Sequence, residues 1–257
     1  MSKRHKQKLI RKLVMLVLVG VAWCGSNLQA FPKEPIAAIE ETVTEYIPNE
    51  EAANKEESES STPSMEYNGS ASCVMNNNCP TFSEELIERA KEGNLLVLGE
   101  LDHLGRCSKC YAVVGKETLA EGERGSIGHI RPSGWHTVKY PGIIDDLYLY
   151  NRCHLLMWKL TGILDDERNL ITGTRYLNLG MLTYEEQVLD YIYSSNNHVL
   201  YSATPIFEGD NLLASGVLLE AYSVEDNGEG LSFCVYCYNV QPGIEINYAT
   251  GESWIAQ

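Results

Sequence analysis

An α+β domain is what this sequence predicts, and three observations carry the prediction. Apolar runs at Val199 to Thr204, Gly216 to Val224, Leu231 to Val240 and Ile244 to Tyr248 are divided by Gly209-Asp210-Asn211 and Asp226-Asn227-Gly228. Consecutive strands joined by short polar turns pair antiparallel. Helical stripes fall outside that run, at Leu86, Ile87 and Ala90 and at Tyr184, Val188, Tyr191 and Ile192. Finally, 257 residues with 44% hydrophobic content can bury one good core and still leave a tail. This composition excludes a collagen-like or wholly disordered chain, and the lack of long apolar runs excludes a multi-pass transporter.

The chain opens with an export segment. Lys3, Arg4, Lys6, Lys8, Arg11 and Lys12 precede an apolar stretch from Leu13 to Cys24. A basic flank before a short apolar run is the pattern of a secretory signal. Cleavage after Ala30, retention of residues 1–30 as a single membrane anchor and lipidation at Cys24 are all open, and each places the rest outside the cytoplasm. Residues 31–66 carry ten acids and two lysines with few large apolar groups. They cannot offset the entropy of ordering, so they read as a disordered linker. The globular domain is expected over 67–257.

Within it, Thr81 and Glu84 suggest a capping box before a short helix that Gly93 stops. From Leu95 to Tyr150, apolar runs alternate with Gly/Pro punctuation, which predicts strands and long loops. Leu147 to Asn151 reads as a strand running into Arg152-Cys153-His154. A helical pattern over Leu155 to Leu160 ends at Gly162.

The net charge of −15 looks wrong for a protein that grips nucleic acid, but its distribution matters more. Tyr176 to Gln257 holds eleven acids and no Lys or Arg, whereas all twelve cations of the domain lie between Arg89 and Arg175. Any anion-binding surface must come from the middle of the chain.

That middle also holds the chemistry. Phosphodiester hydrolysis needs a base for water, a divalent cation at the phosphate, and a fixed cation for the developing charge. Histidine is a suitable base near neutral pH, and arginine matches phosphate with a planar fork. Mg²⁺ needs only one or two hard oxygen ligands from protein. Arg152 and His154 are two apart on a strand and share a face. Asn178 and Glu185 are seven apart and share a helix face if Gly180 does not interrupt it. Taken alone, these spacings also fit a structural Arg–His pair and a capping asparagine.

Several ordered blocks narrow the choice. Leu101-Asp102-His103-Leu104-Gly105-Arg106-Cys107, Gly134-Trp135, Asn151-Arg152-Cys153-His154-Leu155 and Asn169 through Asn178 follow one another along the chain. Met181-Leu182-Thr183-Tyr184-Glu185 and Asn239-Val240-Gln241-Pro242-Gly243-Ile244 complete the set. Together they resemble the DNA/RNA non-specific endonuclease family, in particular its EndA-like secreted branch, over roughly residues 67–254.

The resemblance implies a ββα-metal core, with a central antiparallel sheet and flanking helices, and a one-metal, Mg²⁺-dependent mechanism in which Mn²⁺ could substitute. His154 would be the general base, Arg152 would support the phosphate, and Asn178 would ligate the metal. Glu185 would orient metal-bound water, and Asn169 would help hold His154 or the substrate. Arg106 is implied as a phosphate contact. The substrates would be DNA and RNA, cut without sequence preference to leave 5′-phosphates, at the cell surface or outside the cell. Many members carry Asp where this chain has Asn151, and Trp158-Lys159 is also atypical. Both put substrate preference in doubt, not hydrolysis.

Arg131, Lys139 and Arg175 fall near or between these blocks and are further candidates for phosphate contact, as is Lys109. A catalytically inactive nucleic-acid- or surface-binding module on the same fold is the alternative. Seven cysteines follow Cys24, with CSKC and CVYC as two CxxC pairs. Cys234 and Cys237 would face opposite sides of a strand, which disfavours a zinc ribbon. Disulfides suit an exported domain, with Cys73–Cys79 and Cys107–Cys153 as candidate pairs. His103, His129, His136 and His198 read as structural, and Trp135, Tyr148 and Tyr150 as core aromatics.

Overall fold

The computed structural model describes residues 66–257. The export segment and all of the acidic linker but Glu66 lie outside the described residues. No described helix is long and apolar enough to cross a membrane.

A six-stranded antiparallel sheet forms the frame. Its strands are β1 (Ser72–Val74), β2 (Leu96–Leu98), β3 (Cys110–Val114), β6 (Val199–Ile206), β7 (Gly216–Ser223) and β8 (Ser232–Tyr238), in spatial order β1-β8-β7-β6-β3-β2. The last three are the strands predicted from alternating apolar runs and polar turns. Between β3 and β6 the chain makes a separate antiparallel pair, β4 (Tyr150–His154) and β5 (Leu170–Thr174), with His154 opposite Leu170 and Tyr150 opposite Thr174. A further pair, β9 (Ile244–Ile246) with β10 (Ser253–Ile255), lies near the C-terminus.

The sheet is covered on both faces, as strand periodicity requires. On one face lies α1 (Glu84–Lys91), where Ala90 packs with Val113, Leu200 and Val224. On the other lies α3 (Arg175–Ser195), whose Leu177, Met181, Val188 and Ile192 meet Tyr201, Val217, Leu219 and Val235. Each of these four helix side chains is all but completely buried, which contributes about 1.5–3 kcal/mol apiece. The short α2 (Trp158–Thr161) closes on Gly162, whose φ of 74° is the left-handed cap the sequence predicted.

Two local expectations shift. The N-cap of α1 is Ser83, whose hydroxyl accepts from Leu86 N at 3.2 Å. Thr81 instead gives its N–H and hydroxyl to the buried Glu220 carboxylate at 2.6 and 2.8 Å. The strand expected from Leu147 begins at Tyr150, because Leu147 turns the chain with φ of 69° and donates its N–H to Ile144 O.

The cysteines correct the disulfide expectation: Cys73, Cys79, Cys107, Cys110, Cys153, Cys234 and Cys237 are all free. Cys107 Sγ faces the carbonyls of Glu167 and Leu170, while Cys73 Sγ lies 3.8 Å from the Met75 sulfur. Nor do the CxxC pairs assemble a zinc site: no group of three or more metal-binding His, Cys, Asp or Glu residues occurs among the described residues.

Candidate active site

The β4–β5 pair leads directly into α3, and this ββα unit places His154, Asn178 and Glu185 around one cavity. Thr174 joins the second strand to the helix as N-cap, its hydroxyl accepting from Leu177 N at 2.9 Å. Asn239, from the closing sequence block, is fully buried and accepts from Thr174 N at 2.8 Å. Its amide also donates to Ala214 O and Thr172 O, which ties the unit to the main sheet. The helix runs unbroken through Gly180, where an added Cβ would come within 3.3 Å of Ala71. Close approach, not a break, is what that glycine serves.

His154 ends β4. Its Nε2 lies 2.8 Å from Leu164 O, and a carbonyl can only accept, so this nitrogen carries the proton. Its Nδ1 lies 3.1 Å from Arg124 Nη2, and a guanidinium can only donate, so Nδ1 presents its lone pair. The ring is therefore a neutral imidazole whose basic nitrogen accepts from Arg124. Burial, opposed by the Leu164 carbonyl and helped by the Arg124 charge, pushes its pKa down to about 4.

Asn169 is fully buried and clamps the chain just beyond the histidine: Leu156 N donates to its Oδ1 at 2.8 Å, and its Nδ2 donates to Leu156 O at 2.9 Å. It makes no hydrogen bond to His154 among the described residues, so its hold on the ring passes through the backbone.

Arg124, His154, Asn178 and Glu185 line one cavity of about 200 Å³, with Trp158 and Lys159 at its wall. Glu185 is 7% exposed. Burial raises its carboxyl pKa to about 8, with Arg124 opposing the rise and Glu186 adding to it. No hydrogen bond to protein contributes to that balance. A buried carboxyl lining a cavity without a hydrogen-bond donor fits a bound cation, and Asn178, two helical turns away in the lining of the same cavity, offers an amide oxygen. Two hard oxygen ligands suffice for Mg²⁺, which keeps several waters.

The arginines divide. Arg124, which sequence reasoning missed, touches His154 and lines both this cavity and a larger neighbour of 670 Å³. Its signal in the sequence is weak: a single cation between Gly122 and Gly125 in a loop thirty residues before His154. Arg152 lies in the wall of the larger cavity, stacked 4.0 Å from the Trp135 ring, with its Nε and Nη2 donating to Ile130 O and Gly128 O. Arg131 lines the same cavity.

Arg106 stands elsewhere, held by Asp102, by the carbonyls of Gly209 and Asn211, and over the Phe207 ring. Its Nε and Nη1 tie its own loop to the turn between β6 and β7. Arg175 pairs with Asp146 at 2.6 Å, Lys139 covers Tyr148 at 4.7 Å, and Lys109 approaches Glu220 at 3.6 Å. Trp135, Tyr148 and Tyr150, expected in the core, line the larger cavity, although Tyr150 is also buried. His198 is structural as expected, bridging Glu117 and Glu225.

A family model described as DNA/RNA non-specific endonuclease matches residues 85–225, more than half of the chain. The chain belongs to the DNA/RNA non-specific endonuclease family. Within that family, a deoxyribonuclease of Streptococcus dysgalactiae subsp. equisimilis is 34% identical over 110 residues, which is 40% of this chain and 32% of that one. The aligned stretch thus spans about a third of the relative's length. NucA from Streptococcus agalactiae, solved with magnesium bound, matches with a TM-score of 0.59 at 22% identity, over 71% of this chain and 86% of NucA. Sda1 nuclease, solved with a bound zinc ion, matches with a TM-score of 0.61 at 22% identity, over 72% and 97%. The α+β fold with its ββα-metal core is the fold of these nucleases.

Proposed function

We propose that this protein is an exported endonuclease that hydrolyses DNA, and RNA as well, without sequence preference, in an Mg²⁺-dependent reaction that leaves 5′-phosphates. The single observation that carries the reading is the neutral His154 imidazole, its Nδ1 accepting from Arg124, in the wall of the cavity that Arg124, Glu185 and Asn178 also line.

His154 takes a proton from water at Nδ1, and the Leu164 carbonyl holds the ring in the tautomer that allows it. Asn169 fixes the turn after the histidine and so keeps the ring in place. Asn178 and Glu185 would hold Mg²⁺, or Mn²⁺ in its stead, which when bound supplies positive charge at the phosphate and at the departing 3′-oxygen. Arg124 gives a fixed positive charge beside the base and would release Nδ1 when a phosphate takes its donors. Arg152 shapes the adjoining wall, and Arg131 offers its charge to the flanking backbone. Arg175 and Lys139 are further backbone contacts at the rim once their partners yield, whereas Arg106 acts by holding its loop. Export rests on the signal-like residues 1–30, and the acidic segment would hold the domain away from the envelope.

The test is digestion of plasmid and of RNA by the purified protein with and without divalent metal. Cleavage that EDTA stops and that His154→Ala lowers at least 10²-fold is expected. DNA binding without cleavage at any divalent metal would instead favour an inactive binding module.

A further inference from the structure

Arg124 reaches His154 from a stretch of chain with little of its own to hold it. Residues 121–130 form no helix or strand, none of them is buried, and Gly122, Gly125 and Gly128 are among them. Such a segment has many conformations open to it and little buried apolar surface to select one. Its placement therefore depends on a few hydrogen bonds at its two ends. At the far end Arg152 donates to Gly128 O and Ile130 O. At the near end the last buried residue is Ala120, and one partner takes both of its backbone groups. Ala120 N donates to Lys159 O at 3.0 Å, and Lys159 Nζ donates to Ala120 O at 2.5 Å. Thr118 Oγ1 adds a bond to Leu160 O at 2.7 Å. The bracket that receives these bonds is α2, itself fixed by the fully buried Leu160 and by the Asn169 clamp on Leu156 just ahead of it. Further along the loop, Gly125 passes so close to Leu164 that an added Cβ would come within 2.6 Å of its side chain.

We infer that Lys159 is a positioning residue for Arg124: its ammonium fastens the root of the 121–130 loop to α2 and so sets the guanidinium against His154. The inference rests on the nuclease reading, and it gives a task to a residue that departs from the family's pattern. Four residues separate Ala120 from Arg124, so the fixed point lies just over one peptide stretch from the charge it controls. Lys159 and Arg124 also line the same cavity as His154. A charged donor makes a stronger hydrogen bond to a carbonyl than a backbone N–H does. Of the two bonds at Ala120, the one from the ammonium is therefore the one whose loss frees the loop.

The experiment has two readouts on the full protein. In the first, trypsin nicking after Arg124 is compared with nicking after Arg89 of α1, on the opposite face of the sheet from α3. Lys159→Met keeps an apolar stem and removes the donors. Its ratio of Arg124 to Arg89 nicking is expected to rise about tenfold over wild type, with Lys159→Arg staying near wild type. Loss of the whole fold would expose both sites, so it does not imitate that change. The second readout is single-turnover cleavage of a single-stranded oligonucleotide with Mg²⁺. Lys159→Met is expected to be about 10–10²-fold slower than wild type, yet to cost nothing further when added to Arg124→Ala. An unchanged nicking ratio, equal acceleration at both sites, or the same rate loss with and without Arg124 would overturn the inference. No cleavage of plasmid by the wild type would overturn the nuclease reading, and the nicking ratio would still decide whether Lys159 anchors the loop.

Discussion

At His154, two hydrogen bonds of opposite sense decide what the side chain can do. Leu164 O fixes the proton on Nε2, and Arg124 marks Nδ1 as the acceptor. Because burial holds the pKa near 4, the ring is unprotonated and able to accept a proton across the neutral range. The expected kcat/KM profile rises as pH passes about 4 and is level above pH 6, provided metal is saturating. An acid limb centred near 6.5 would mean that the ring is solvated in the working enzyme. The same depression gives folding a stability term that is present above the free histidine value and is lost as pH falls toward 4. Arg124→Ala is expected to lower kcat about 10²–10³-fold, with Arg124→Lys between it and wild type. Single-turnover rates would check this. His154 could be read from its place after Arg152 on a strand, but Arg124 could not. It sits in an irregular loop, and only its contact across thirty residues reveals it.

For α3, the helix face read from the seven-residue spacing of Asn178 and Glu185 holds in the structure. What the spacing could not show is how deeply Glu185 is buried. A carboxyl whose folded pKa is raised to about 8 favours the fold while it is protonated, and that stability is lost as pH rises through 8. In EDTA, Glu185→Gln should therefore melt several degrees above wild type at pH 8–9, a gain of about 2–5 kcal/mol, and match it near pH 4. The same variant should lose cleavage with Mg²⁺. Equal melting at both pH values would place the wild-type carboxylate in water. At the helix start, Thr174→Ala removes the cap on Leu177 N and should cost about 1 kcal/mol, read by denaturant unfolding. The sequence suggested Thr81 as the cap of α1, but a buried Glu220 on a distant strand claims it. Local pattern cannot anticipate a partner 139 residues away.

Across the described domain, charge is segregated: the acidic final third supplies three strands of the main sheet together with Asn178 and Glu185, while the cations near the site come from the middle of the chain. If Arg124, Arg131 and Arg152 meet phosphate, log KM on single-stranded DNA should rise against log salt with a slope of about 2. A slope near zero would remove backbone contact as the source of affinity. All seven described cysteines are free, so the melting temperature should not change with added reductant. The succession of motif blocks, the antiparallel strands and the chemical types at the site were legible from the linear order of residues, because periodicity and spacing are local properties. Which arginine folding sets beside His154 was not. Arg106, within a motif, gives its Nε and Nη1 to Asp102 and two carbonyls, while Arg124, within none, reaches His154. A guanidinium's role depends on which acceptors folding brings within about 3 Å of it, and several of those acceptors come from distant parts of the chain.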